Sequence, residues 1–191
     1  MHWRNFTAVE ANARLTGYAG VLLLVLLATE SLTVLNLGRF LQVHALLGIL
    51  ILPPLLVKLG SVGYRFLRYY SGERAFRAAG PPVLGMRLLA PVLVVLTVVL
   101  FASGIELWLF GFSRPWIAIH HGSFVLWLVA IAAHAFFYLR RAPELALADW
   151  RHHLEGAIAR RSLVVGSLLL GVALAIAMLP FPTPYGAALG R

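Results

Sequence analysis

Cysteine is absent from the 191 residues, which removes disulfides, thiolate metal sites, cysteine-ligated iron-sulfur clusters and covalently attached c-type haem together. Any metal is expected on nitrogen or oxygen ligands. Charge is scarce as well: charged residues make up 12% of the chain and hydrophobic residues 61%, with a mean hydropathy of +0.86. Such a composition lies outside the range of a water-soluble domain. Acidic side chains are the scarcer kind, seven against sixteen Lys and Arg, for a formal net charge of +9. The arginines sit beside apolar runs, where they suit anionic headgroups and set topology, so no nucleic-acid partner is expected. No nucleotide-binding motif or sizeable soluble domain is present. A cleavable leader is not expected either: MHWRNFTAVEANAR is too polar for a signal core, and the apolar run behind it is long enough to span and lacks a clear small-residue cleavage site.

What the chain has in abundance is long apolar runs. Those near residues 15–36, 42–65, 86–110, 116–139 and 162–181 can each cross a hydrocarbon core of ~30 Å. The expected fold is an all-α integral membrane protein, one membrane domain over 1–191 with a four-helix core at 14–140 and a fifth transmembrane helix at 162–181. Gly72, Gly80, Pro81 and Pro82 break the segment RFLRYYSGERAFRAAGPP, and RRAPELALADWRHHLEGAIARR, covering the loop at 141–161, reads as polar, amphipathic and interfacial. Short connections are expected around Gly38 to Leu41 and Gly111 to Pro115.

Arginine bias orients the spans. The N-terminus and the two long loops hold Arg4, Arg14, Arg65, Arg68, Arg74, Arg77, Arg87, Arg140, Arg141, Arg151, Arg160 and Arg161, whereas the opposite side holds Arg39, Arg114 and Arg191. Twelve against three places the N-terminus in the cytoplasm and the C-terminus outside. The second and fourth helices then run parallel, both starting at the outer face.

Ionisable groups at membrane depth are costly, so each is a functional candidate: Glu30, His44, Lys58, Glu106, His120, His121 and His134. His44 and Lys58 are fourteen residues apart on the second helix, and His120 and His134 repeat that interval on the fourth. At ~100° per residue the interval returns to within ~40° of the same face, about 21 Å along the axis, whereas His121 stands roughly 140° from His134. Geometry selects His120 over His121. Two facing pairs result, His44 with His120 in the outer half and Lys58 with His134 in the inner half. Imidazole nitrogens are good axial ligands for haem iron, and two of them fill both axial positions, favouring electron transfer. One haem b is assigned to His44 and His120, and residues 14–140 become its core. The bland alternative is that each histidine is a hydrogen-bonded packing residue.

The inner pair leaves more alternatives open. Lysine ligates iron only as the neutral amine, so Lys58 either joins His134 at a second haem, faces a quinone headgroup, snorkels toward lipid or bonds His134. Gly48, one turn below His44, is expected beside the ring, with Gly17, Gly20 and Gly104 as further thin points that serve the ring or helix contact. Glu30 and Glu106 are read as proton acceptors for a quinol or as groups pairing with Arg39 or Arg114. Those two arginines are also expected partners for haem propionates, or ordinary loop charges. Pro53 and Pro54 are expected to break and bend the second helix, freeing carbonyls that neighbouring helices must satisfy. His2, His152 and His153 are read as solvated surface residues. Trp108 and Trp116 read as interfacial anchors.

The segments VHALLG around His44, HHGSFVLWLVAIAAH from His120 to His134, and RLTG at the start of the first helix resemble the bacterial cytochrome b561-like and respiratory cytochrome b membrane subunits. The resemblance covers residues 14–140 and rests mainly on histidine placement. It implies a four-helix core holding b-type haem between histidines of the second and fourth helices, in a bacterial plasma membrane. Thr16, Gly17 and Lys58 stand where dihaem families place an inner histidine. The stretch PPLLVKLGSVGYRFLRYYSGERAFRAAGPP also looks like actinobacterial membrane proteins associated with molybdopterin oxidoreductases, which implies a partner rather than a reaction. The expected function is a b-type haem cytochrome, the membrane electron-transfer subunit of an oxidoreductase, carrying electrons between the quinone pool and an outer-face redox protein. The rival is a haem-free transporter or membrane scaffold with a proton or ion path through His120, His134, Lys58, Glu30 and Glu106. Inverted halves would favour it, and no convincing repeat beyond the fourteen-residue interval is present.

Overall fold

The computed structural model describes residues 3–151 and 154–179. His2, His152, His153 and Arg191 lie outside them, as do the last two residues of the expected fifth span. Among the described residues seven helices follow in chain order: α1 (Trp3–Val34), α2 (Leu37–Tyr70), α3 (Arg74–Ala78), α4 (Leu84–Phe110), α5 (Arg114–Tyr138), α6 (Arg141–Arg151) and α7 (Ala157–Met178). No strand occurs among the described residues. Five of the helices, α1 (from Ala8), α2, α4, α5 and α7, are long and apolar enough to cross a membrane, and they correspond to the five expected spans. Large apolar side chains on them face outward, among them Leu56, Val129 and Phe136, as suits surfaces solvated by lipid rather than water.

The chain forms two compact units. In the first, α1 and α2 make an antiparallel hairpin that α3, α6 and α7 join. Its turn is tighter than expected. Leu35 and Asn36 alone separate the two helices, and Asn36 caps α2 by accepting the Arg39 backbone N–H at 3.3 Å. Gly38 to Leu41 are therefore helical, and Arg39 lies in the first turn of α2 with its guanidinium over the Phe40 ring. The break expected at Pro53 and Pro54 does not occur, because α2 continues through both. Proline at these positions withholds donors from the Ile49 and Leu50 carbonyls. The Leu50 oxygen faces Gly171 of α7 so closely that a methyl group there would overlap it. The freed acceptor is thus met by the thin side of another helix. The buried face of α7, Arg160, Val164, Ser167, Gly171 and Ala175, follows helical spacing around that contact.

The first long connection is ordered, and the second contains the helix α6. After α2, Gly72 (φ 86°) and Gly80 (φ 73°) supply left-handed turns, and between them α3 folds back. Phe76 is buried with its edge against Tyr64 at 5.7 Å, and Arg68 pairs with Glu73 at 2.9 Å. The amphipathic α6 packs on α1 where Gly17 leaves room for Leu145 and Ala142, and Arg161 of α7 covers the Trp150 ring at 3.8 Å. The second unit contains α4 and α5. Gly111 ends α4 with φ 90°, and α5 starts at Arg114, which is helical rather than a loop residue. Trp127 Nε1 donates to Thr97 Oγ1 at 3.0 Å and ties the pair.

Candidate functional site

His44 sits in the second turn of α2, beside the end of α1. Its Nδ1 lies 3.0 Å from Glu30 Oε1 and 2.9 Å from Thr33 Oγ1. The hydroxyl of Thr33 has a single hydrogen, which it donates to the Glu30 carbonyl at 2.6 Å. Toward the ring it can only accept, as can the carboxylate. Nδ1 therefore carries a proton, and in the neutral ring Nε2 is the nitrogen with the lone pair. Glu30 thus has His44 as its partner, not the arginine considered from sequence. A carboxylate behind an imidazole fixes its tautomer and orientation and raises the basicity of the far nitrogen.

His120 is held in the same manner within the second unit. Its Nδ1 lies 3.0 Å from Ser103 Oγ and 3.1 Å from the Leu100 carbonyl oxygen. A carbonyl only accepts, so Nδ1 is again the protonated nitrogen. Ser103 also donates to Leu100 O at 3.0 Å and is almost wholly buried. Gly104 gives the ring its place: a Cβ there would stand 3.2 Å from His120 Cε1 and 3.6 Å from Nδ1. His121 is exposed.

Lys58 turns toward α1. Its Nζ donates to the Thr16 carbonyl at 2.7 Å, and Gly20 makes that approach open, since a Cβ there would stand 2.9 Å from Nζ. One turn on, Ser61 meets Thr16 Oγ1 and Asn12, with Asn12 Oδ1 at 3.0 Å. Asn12 and Ser61 are buried. The inner part of the α1–α2 hairpin is therefore joined by a polar cluster of Asn12, Thr16, Lys58 and Ser61. His134 is half-buried on α5 with its Nδ1 enclosed by protein.

The glycines divide by task. Gly17 receives α6, Gly20 the Lys58 amine, and Gly104 the His120 ring, while Gly48 stands 3.8 Å from Glu30 Oε1 by the position its Cβ would take. Glu106 is half-buried on α4, and the exposed Arg39 and Arg114 lie in the first turns of α2 and α5. Sequence reasoning missed the hydroxyl and amide residues Asn12, Thr33, Ser61, Thr97 and Ser103, and the bonding role of Thr16, which hold the hairpins together.

Among the described residues no group of three or more His, Asp or Glu converges as a metal site would require. Axial ligation of haem iron asks for two side chains only. The donor chemistry is compatible with it: both histidines are anchored through Nδ1, which in the neutral ring puts the lone pair on Nε2, as in metal-ligating histidines. No family model, curated protein or solved structure matches this chain.

Proposed function

We propose that the protein is a b-type haem cytochrome of the bacterial plasma membrane, carrying electrons between the quinone pool and a redox protein at the outer face, for example a molybdopterin oxidoreductase. The observation that supports this reading is the shared anchoring of His44 and His120, each through Nδ1 to acceptors on the preceding helix. A histidine that merely bridges helices gains from using either nitrogen. Two histidines with the same tautomer enforced by acceptors suit ligation through Nε2. Haem bound by two imidazoles supplies a one-electron couple with no open coordination position.

The chain's own residues then have distinct tasks. His44 and His120 bind, Thr33 and Ser103 hold the rings, and Gly104 makes room for one of them. Glu30 places a carboxylate behind His44 and stands where it can take a proton if quinol is oxidised nearby. Arg39 and Arg114 are available to propionates as planar donors. The two-haem version would require Lys58 with His134, and the bond from Lys58 to Thr16 O favours a single haem. The arginine distribution supports an N-terminus in the cytoplasm.

Purification tests the proposal directly. A red protein with a Soret band, sharp dithionite-reduced bands and one haem per chain is expected. Replacing His44 or His120 by Ala should abolish haem binding, and His121→Ala should leave it intact. A colourless, metal-free and folded protein would reject the cytochrome reading.

A further inference from the structure

A second feature of the first unit stands apart from His44. A cleft of about 550 Å³ opens between α1, α2 and α7, walled by Asn12, Leu15, Ser61, Tyr64, Arg160 and Leu163. The hollow is open to the surroundings rather than enclosed, as suits a lipid lying against the helices. The wall is mainly apolar, and Asn12, Ser61 and Arg160 bring polar chemistry to it. All three helices contribute the same end of the hairpin: α1 and α7 near their starts, α2 toward its finish. A site at the ends of spans lies at headgroup depth rather than at the bilayer centre.

Arg160 is 8% exposed. Its guanidinium is fixed by Nη1 donating to the Glu155 carbonyl at 2.9 Å and Nη2 to that of Leu154 at 3.4 Å. A guanidinium in such a wall has the chemistry of a phosphate site. Arg65, Arg68, Arg74 and Arg77 gather at the same end of α2 and its following turn, adding attraction for anionic headgroups. The outward Leu163 of the cleft wall offers apolar surface, where acyl chains can lie.

We propose that this cleft binds the headgroup of an anionic phospholipid, with Arg160 serving the phosphate and Asn12 and Ser61 the glycerol hydroxyls. The assignment does not depend on haem. Full-length protein in neutral detergent, stripped of lipid, is titrated with phosphatidylglycerol, phosphatidylcholine or inorganic phosphate and followed by native mass spectrometry. Phosphatidylglycerol should form a one-to-one complex at least tenfold tighter than phosphatidylcholine, and millimolar phosphate should not displace it. Gly60 lines the cleft and a Cβ there meets nothing within 4 Å, so Gly60→Leu fills the space without touching the bonds of Arg160. It should weaken phosphatidylglycerol at least tenfold with helix content unchanged. Arg160→Gln should equalise the two lipids, and it decides the matter if Gly60→Leu fails to fold. Equal affinity for both lipids in the unaltered protein overturns the proposal. So does undiminished phosphatidylglycerol binding in a folded Gly60→Leu protein, displacement by inorganic phosphate, or occupancy by a quinone insensitive to Arg160→Gln.

Discussion

Replacing Glu30 by glutamine removes a charge from behind His44 while leaving an oxygen able to accept from Nδ1. In the structure that oxygen stands 3.0 Å from the ring nitrogen, with the side chains of both residues largely shielded, at 15% and 22% exposure. A hydrogen bond to a charged group contributes ~1.5–3 kcal/mol and a neutral one ~0.5–1.5 kcal/mol, so the substitution forfeits about 1 kcal/mol of preference for positive charge on the imidazole and whatever it ligates. The sign follows from electrostatics. A carboxylate favours the ferric over the ferrous state, so the neutral amide should raise the midpoint potential. For a one-electron couple, where tenfold is 59 mV, about 1 kcal/mol converts to a rise of roughly 40 mV. Redox titration of the reduced visible band reads this directly, with Glu73→Gln, distant in sequence and paired to Arg68, as the control. A Glu30→Gln potential that is unchanged, or lower, refutes the carboxylate–imidazole argument even if haem is present.

Four further outcomes are expected. Lys58→Met should keep full haem content and alter stability by less than about 1 kcal/mol, because the amine contacts the Thr16 carbonyl and an apolar chain of similar length replaces it; loss of haem in this variant would return Lys58 to the ligand set. Gly171→Leu should destabilise by about 1–3 kcal/mol or more through overlap with the Leu50 carbonyl, read as a lower midpoint in detergent melting. Gly104→Ala should be tolerated with a small shift of the His120 ring, whereas Gly104→Leu should displace it and lower haem content. Gly17→Leu should release α6 from α1, measured as faster proteolysis within 141–151.

The spans were legible because length and apolarity alone decide them, and α1, α2, α4, α5 and α7 fall where the apolar runs lie. The helix ends were less so: Arg39 and Arg114 look like loop charges in sequence, yet a cap on Asn36 and the turn at Gly111 draw them into α2 and α5. Pro53 and Pro54 misled for a similar reason. Their missing donors were evident, but the acceptor's neighbour, Gly171, lies more than a hundred residues away. His120 turns to α4 while His121 is exposed. The anchoring of His120 was not legible in the sequence, because serine and threonine are common in membrane helices and bond their own backbone by default. Hairpin symmetry offered a signal: Thr33 with His44 and Thr16 with Ser61 share one midpoint, beside Gly38 in the first turn of α2, and Ser103 with His120 lie nearly equally far from Gly111. In an antiparallel pair such residues meet at one depth.

The hydroxyls also determine how the two histidines fail. Thr33 and Ser103 each give their hydrogen to a carbonyl three residues back on their own helix, so each can face a ring nitrogen only as an acceptor. Neither acts alone: Glu30 Oε1 backs up Thr33 at His44, and the Leu100 carbonyl backs up Ser103 at His120. Removing one hydroxyl, in Thr33→Val or Ser103→Ala, should therefore cost no more than about 1 kcal/mol and preserve the tautomer. The two sites part company on the second removal. Glu30 is a side chain and can be deleted, so Thr33→Val with Glu30→Leu removes both of these acceptors at His44 Nδ1 and should loosen the hold on its tautomer. The Leu100 carbonyl is backbone and survives any substitution at that position, so Ser103→Ala with Leu100→Ala should leave the Nδ1 proton of His120 in place. Imidazole nitrogen NMR of the two double variants distinguishes the cases, and tautomer mixing at His120 rather than at His44 would refute the backbone-acceptor argument.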